Sequence, residues 1–481
     1  MAERIHRVAI IGAGPGGICT GIRLRQTGIE DFVILEKAAG VGGTWWHNRY
    51  PGAECDVQSH LYSFSFEIKP DWSRPYAGQS EILDYLTHCA RKYGLYPFIR
   101  LGDGVRAMRW DETRAHWTLI LDSGAKVRAR SVVSAQGMFN ELVYPKIPGL
   151  DTFAGASFHS ARWSHDHDLT GRRVAVIGSA ASAVQFVPEI TARVADLILY
   201  QRTANWVLPK ADTPFTPEEL ERFRRHPEAV TALRRRLHDE LEGLITFSDP
   251  EALRAAEEAG LENLSVVKDP EVRRKLVPTH PFGCKRPLLS NVYYPVFNEP
   301  HVTLVTTAIT EVRPGGVVTE DGIERPADTL ILATGFQTGR YLSAIEVIGR
   351  GGRRIEDAWR NGAEAYLGMT TSGFPNLFML YGPNTNNGSI LYMLERQVDY
   401  VIRALGRLED ERLAWMDVRR DVMARYNDAL QRDIGAVAVW QAGCNGYYRA
   451  PSGRVVTQWP HNMAEFTRRT ATDDADAFEV A

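Results

Sequence analysis

Long apolar runs are missing from this 481-residue chain, and none reaches the ~20 residues that a membrane-spanning helix needs. No integral membrane association is therefore expected. The opening, MAERIHRVAIIGAG, lacks an apolar segment followed by a cleavage site and runs almost at once into strand-like residues. A cytoplasmic location is the expectation. Cysteine is scarce: five occur, with no CxxC pair and no close ligand spacing. This predicts reduced, individually placed thiols rather than a disulfide scaffold. A surplus of positive charge is lacking too. The 56 Lys and Arg against 59 Asp and Glu leave a formal net charge of −3, so no broad basic field invites a nucleic-acid partner. His165 and His167 alternate with acids, but that spacing supplies no ligand set, and no metal is expected.

What is present is a normal globular composition, 44% hydrophobic and 24% charged, in a chain long enough for two to four domains. The first motif reads RVAIIGAGPGGICTGIRLRQTGIEDFVILEK. A buried parallel strand, a glycine turn and a helix follow one another. Gly12, Gly14 and Gly17 form GxGxxG, with roles in the tight turn, the approach to a pyrophosphate and close helix–strand packing. The second strand, FVILE, ends at Glu36, 19 residues after Gly17, where a carboxylate accepts from a ribose hydroxyl.

A second copy begins RVAVIGSAASAVQFVPEI and continues into LILYQRT. Gly178 aligns with Gly12, which places Arg202 at the Glu36 position, both offsets being 24 residues. A glutamate suits adenosine ribose hydroxyls, whereas an arginine suits a 2′-phosphate. The first copy therefore predicts FAD and the second NADPH. Ala180 and Ala183 replace the later glycines of the second copy. Ala183 is compatible with close packing. Ala180 sets a methyl group where backbone should approach pyrophosphate, which leaves open a former cofactor fold kept for structure.

The expected fold class is α/β, with two Rossmann-like nucleotide-binding domains. Proline-bearing YPKIPG closes the first FAD segment, giving domains at 1–149 (FAD), 150–324 (NADPH) and 325–481 (FAD again, with C-terminal pocket elements). Charge-rich segments over about 212–268 predict a helical insertion, readable equally as a cap or as a solvated face. DTLILATGF is expected to return the chain to the FAD domain, with Gly335 allowing backbone to approach the dinucleotide.

With FAGASFHSARW the chain satisfies FxGxxxHxxxW through Phe153, Gly155, His159 and Trp163. Together with GGTWWHNRYPGAECD, QRT, CKRP, ATGF, GPNTNNG and GCNGYYR, this sequence resembles the flavin-containing Baeyer–Villiger monooxygenases, within the wider flavin-containing monooxygenases. The resemblance covers most of the chain. It implies a domain-coupling role for His159. It sets Gly42, Gly43, Thr44 and Trp45 (or its neighbour Trp46) beside the flavin, and gives Asp56 the role of orienting an arginine there. Arg286 is implied as that arginine, near flavin and nicotinamide, with Lys285, Arg202, Thr203 and Ser182 on the NADPH side. His47 stands where relatives vary, with a consequence for pocket shape.

The implied chemistry is reduction of FAD by NADPH, capture of molecular oxygen as a C4a-peroxyflavin, and attack on an organic ketone to give an ester or lactone. The aromatic GCNGYY segment admits a bulky secondary metabolite as well as it admits ordinary core packing. Sulfur or nitrogen oxygenation is the nearer alternative. A non-oxygenating FAD/NADPH redox or ligand-binding protein is the alternative from another class. Oligomeric state is not legible.

Overall fold

The computed structural model describes residues 4–444 and 446–481; residues 1–3 of the opening segment and Asn445 of GCNGYYR lie outside it. The first unit runs β1 (Ile5–Ile11), α1 (Pro15–Gln26), β2 (Phe32–Glu36), the short α2 (Thr44–His47), α3 (Gln79–Lys92), β3 (Ile99–Leu101), β4 (Val105–Asp111), β5 (His116–Leu121) and β6 (Lys126–Ser134). Next come β7 (Ala156–His159), β8 (Arg173–Ile177), α4 (Ala181–Thr191), β9 (Asp196–Tyr200) and β10 (Val207–Leu208). The helices α5 (Pro217–Arg225), α6 (Pro227–Leu244), α7 (Pro250–Leu264) and α8 (Pro270–Leu276) form the insertion. Then follow β11 (Leu288–Leu289), β12 (Val302–Val305), β13 (Ile309–Arg313), β14 (Gly316–Thr319), β15 (Glu324–Pro326) and β16 (Thr329–Leu332). The last part holds β17 (Glu346–Ile348), α9 (Ile355–Ala358), β18 (Leu377–Met379), α10 (Ile390–Asp410), β19 (Met416–Val418), α11 (Arg420–Ala436), α12 (Met463–Ala471) and β20 (Phe478–Val480).

Two sheets organise these elements. The first has the order β17-β4-β5-β6-β1-β2-β3. The β5 strand occupies the edge of β6 over Lys126–Ala129, and β18 takes the same edge over Val132–Ser134. This sheet thus draws strands from both ends of the chain, so the FAD unit is discontinuous. The second sheet has the order β12-β9-β8-β16-β7, entirely parallel.

Side-chain alternation explains why both sheets are covered on two faces. In β1, Val8 and Ile10 join the core under α1, α3 and α10, whereas Ala9 and Ile11 join the core of Trp117, Leu119 and Phe374. The second motif repeats this: Val174 and Val176 face the α4 core, and Ala175 and Ile177 face Val312, Val317 and Leu330.

Two expectations change here. DTLILATGF does not return the chain to the first sheet: Thr329–Leu332 pairs with both β7 and β8 in the second. A buried apolar strand carries no mark of which parallel sheet receives it, and the return to the first sheet comes with β17 on β4. The cysteines are not all separate either. Cys284 and Cys444 are disulfide-bonded, while Cys19, Cys55 and Cys89 are buried free thiols. At a sequence separation of 160, only tertiary structure reveals the pair.

The insertion is neither wholly cap nor wholly solvated. From α6, Arg234 donates to the carbonyls of His60 (2.8 Å) and Ser63 (2.9 Å), and Glu242 accepts from the backbone N–H of Met463 (2.8 Å). The outward faces carry exposed pairs such as Arg225–Glu221. Among the described residues, no helix is long and apolar enough to cross a membrane.

Candidate active site

Both glycine turns open into one cleft of about 1400 Å³ between the two sheets. Gly12 ends β1 at φ +101°, and a Cβ there would stand 2.8 Å from the Ala135 carbonyl oxygen, so the position requires glycine. Gly14 faces Gly43: a Cβ on Gly43 would meet the Gly14 Cα at 2.8 Å, which presses the first turn against the loop before α2. Neither α1 nor α4 has a side-chain N-cap. Two helix N-termini with free N–H groups therefore face the same cleft, an arrangement that suits two pyrophosphates.

Glu36 is 5% exposed, and its two oxygens accept from the backbone N–H groups of Ala13 and Ala38, each at 2.7 Å. These bonds hold the carboxylate at the cleft floor with lone pairs to spare. In the second copy Ala180, at the mouth of α4, is exposed and lines the cleft. The donor set fits two dinucleotides, one beside an acid and one beside cations.

The cationic side is Arg202, Thr203 and Lys285. Lys285 Nζ donates to Thr203 Oγ1 at 2.7 Å. Burial first, then the Arg202 charge, hold the Lys285 amine below the usual lysine range, and no carboxylate contributes to the shift. Two cations turned toward one another in this way suit a phosphate group.

Arg286 reaches across to Asp56. Its Nε and Nη2 both lie 2.7 Å from Asp56 Oδ2. Asp56 foremost keeps the guanidinium fully cationic, against the opposing effect of burial, with help from Tyr447, Tyr448 and Tyr381. About a third of the Arg286 side chain stays accessible, so the pairing leaves donors turned to the cleft.

The cleft wall includes Gly12, Gly14, Glu36, Gly43, Thr44, Trp45, Asp56, Gly178, Ser182, Arg202, Thr203, Lys285, Arg286 and Gly335. Gly17, Gly42 and His159 lie behind it. A Cβ on Gly17 would stand 1.9 Å from the Gly12 carbonyl oxygen, which leaves that residue a packing role. His159 is 1% exposed at the end of β7, where Nδ1 accepts from Ala161 N–H (3.1 Å). Burial lowers its pKa, with the Gly335 backbone opposing. The histidine thus sits one contact from the cleft, between β7 and the turn after β16. Trp163 packs against Phe158 and Phe186. Of the tryptophan pair, Trp45 lines the cleft and donates to Tyr62 Oη (3.1 Å), while Trp46 lies outside it under Arg49. His47 does line the cleft; burial foremost, then Arg162, Lys37 and Arg49, push its pKa down to about 4.

Sequence reasoning missed several neighbours. Tyr381 Oη donates to Asn386 Oδ1 at 2.5 Å, and Asn386 Nδ2 donates to Gln458 Oε1 at 2.6 Å. Burial pushes the Tyr447 phenol up, while Arg286 and Asn386 pull it down. Lys210, 8% exposed, meets Glu54 at 2.5 Å and joins the two units beside Asp56. GPNTNNG and GCNGYY flagged the stretches carrying Asn386 and Tyr447, but nothing in the sequence marked Lys210.

The profile of the pyridine nucleotide-disulphide oxidoreductases matches residues 9–239. A Baeyer–Villiger monooxygenase of Pseudomonas aeruginosa is 45% identical over 487 residues, covering 100% of this chain and 92% of that protein. The chain belongs to the Baeyer–Villiger monooxygenases. Cyclohexanone monooxygenase from Rhodococcus sp. Phi1, solved bound to NADP+, superposes on this monooxygenase with a TM-score of 0.91 at 30% identity, covering 100% of this chain and 99% of the other. OTEMO in complex with FAD and NADP gives a TM-score of 0.89 at 28% identity, with 99% of each chain covered. The Lysobacter antibioticus protein named phenazine N-monooxygenase is 33% identical over 485 residues, covering 91% of this chain and 89% of its own. This Baeyer–Villiger monooxygenase is an FAD-dependent enzyme with NADPH as cosubstrate.

Proposed function

We propose that this monooxygenase inserts one atom of molecular oxygen beside the carbonyl of an organic ketone, giving an ester or lactone. The observation that carries the reading is Arg286, held by Asp56 in the cleft between the two nucleotide turns and faced by Tyr381, Tyr447 and Tyr448. FAD, once reduced by NADPH, supplies the electrons that activate oxygen.

The chain's own residues do the rest. Glu36 and the α1 N-terminus hold the FAD adenosine and pyrophosphate; Gly43, Thr44 and Trp45 frame the flavin. Arg202, Thr203 and Lys285 hold the 2′-phosphate of NADPH, with Gly178 and Ser182 at its pyrophosphate. Arg286 offers positive charge to the oxygen that becomes anionic during ketone attack, and Asp56 fixes the guanidinium plane. The apolar share of the wall excludes water, so that this charge acts at low dielectric. His159 couples the two units through the Gly335 turn. The size of the cleft suits a bulky ketone of secondary metabolism.

Nitrogen or sulfur oxygenation is the second reading, favoured by the phenazine N-monooxygenase relative. Turnover with NADPH and isotopically labelled oxygen, on a panel of cyclic, linear and aryl ketones, thioethers and amines, decides between them by product mass. An ester or lactone carrying one labelled oxygen is expected. Labelled N-oxides or sulfoxides alone would transfer the chain to the second reading. NADPH oxidation with no oxygenated product from any class would make it a redox protein.

A further inference from the structure

Cys284 immediately precedes Lys285 and Arg286, and Cys444 lies just ahead of Gly446, Tyr447 and Tyr448. The disulfide therefore joins the stretch that carries the cleft's cations to the one that carries its tyrosines. Neither stretch belongs to a helix or strand: residues 277–287 follow α8, and 442–444 with 446–462 precede α12. Backbone ties thin out next to the two cysteines: the Phe282 N–H donates to Glu257 (2.9 Å), the Cys284 N–H to Pro281 O (3.2 Å), and Thr338 Oγ1 to Tyr447 O (3.0 Å). Residues 448–459 are held by several, among them Val456 N–H to Tyr448 O (2.9 Å) and Asn386 N–H to Thr457 O (2.9 Å).

The two stretches touch beside the bond. A Cβ on Gly446 would lie 3.7 Å from Lys285 Cγ. Behind them a chain of rings runs Phe282–Phe247–Trp440–Tyr448, with centroid separations of 6.4, 6.2 and 6.4 Å. Its packing brings the stretches together, Arg286 and Tyr447 interact across them, and the covalent bond ties them directly. Cys284 is 4% exposed, whereas Cys444 is half-buried and within reach of a small thiol.

We propose that the Cys284–Cys444 disulfide is a positioning element of the oxygenation site, holding Arg286 and the Tyr447–Tyr448 wall at one spacing. This rests on the role given above to Arg286. Reduction by a dithiol breaks the S–S bond. Two electrons and two protons pass from the reductant, two thiols form, and the dithiol closes to its own disulfide. The loosened wall then leaves Arg286 free to drift from the geometry that ketone attack needs. Flavin reduction continues at saturating NADPH, while the NADPH concentration it needs rises, because Lys285 sits in the same stretch.

The test compares FAD-loaded wild type before and after treatment with dithiothreitol, reductant removed, alongside a Cys284→Ser/Cys444→Ser double variant. Alkylation of the denatured protein should count three thiols in the native form and five after reduction, the three being Cys19, Cys55 and Cys89. Hydrogen exchange over 278–290 and 440–450 should rise in the reduced and variant proteins, with β1–α1 unchanged. Oxygenated product per NADPH, on any ketone accepted in the panel above, should fall on the order of tenfold, since small misplacements of a reacting group cost at least that. The rate of flavin bleaching at saturating NADPH should hold. Reoxidation with glutathione disulfide should restore wild-type exchange and coupling but leave the serine variant unaltered.

Five thiols in the native protein would overturn the proposal, and so would exchange and coupling that reduction leaves unmoved. If the double variant does not fold, the wild-type comparison decides alone. An Arg286→Ala enzyme that keeps full coupling would defeat the reading of Arg286. Loss of coupling in that variant, with no effect of reduction, would defeat the disulfide proposal by itself.

Discussion

Arg286 and Arg202 are both cations at the cleft, but their surroundings differ. Arg286 is braced by Asp56 through two of its nitrogens. Arg286→Ala is expected to keep its FAD and its rate of reduction by NADPH while ester formation falls by about 10²–10³-fold, read by product mass against NADPH consumed. Arg202 adds its positive charge beside Lys285 and helps to lower the pKa of that amine. Arg202→Ala should lose the preference for NADPH over NADH, with KM for NADPH rising about ten- to hundredfold for the loss of one charged hydrogen-bonding partner; steady-state rates at matched NADPH and NADH concentrations check this. An unchanged preference would move phosphate recognition to Lys285 and Thr203 alone. The Glu36–Arg202 contrast was legible in the sequence because each residue sits at a fixed offset from its own glycine turn. The Asp56–Arg286 pair spans 230 positions, and only the family resemblance connected its two motifs. Tyr381 and Lys210 carried no local signal: a tyrosine before GPNT and a lysine after a short strand become site residues only when the chain folds around them.

Among the elements, the paired strand–turn–helix motifs were readable because β-strand alternation and glycine spacing are local properties. The position of β16 was not, since a four-residue apolar strand fits any parallel sheet. The insertion was ambiguous for a related reason. Its charge pattern describes the outward face, and the inward face is held by single anchors such as Arg234, whose guanidinium binds backbone carbonyls across 171–174 positions. Burial lowers the Arg234 pKa, with Glu395 opposing, yet the residue stays charged at neutral pH. Arg234→Met should cost about 3 kcal/mol of stability, the range for charged hydrogen bonds left unmade. Protease cleavage within 210–276 should accelerate before global unfolding. Unchanged cleavage would mean that the Glu242 contact with Met463 suffices to dock the cap.

For the whole molecule, acid sensitivity follows from its histidines. Burial foremost pushes the pKa of His47, His60 and His280 down to about 4, from an ordinary 6.5. Between these values the unfolded chain takes up protons that the folded chain refuses, so stability is lost as pH falls from about 6.5 to 4 and levels off below. Asp417 opposes them, because burial raises its pKa to about 6 from 3.8, and the folded state gains as pH drops through that range. Glu54 and Asp474, raised by burial, act with Asp417, while His6 and His159, lowered by burial, act with the three histidines, and the histidines prevail. The melting temperature should fall between pH 7 and pH 5, with a shallower slope in His60→Gln; an identical slope in that variant would remove His60 from the account. The pairing of β18 with β6 has a consequence at a different time in the protein's life. On the ribosome, β6 emerges with half of its edge bare, and the strand that covers Val132–Ser134 follows more than 240 residues later. Until then the nascent first sheet is an open edge able to pair with other chains, and the flavin-side sheet cannot close until β18 has emerged. Chains ending before Leu377 should therefore accumulate in the pellet rather than as FAD-binding protein, and slow translation through 135–376 should lengthen that exposure.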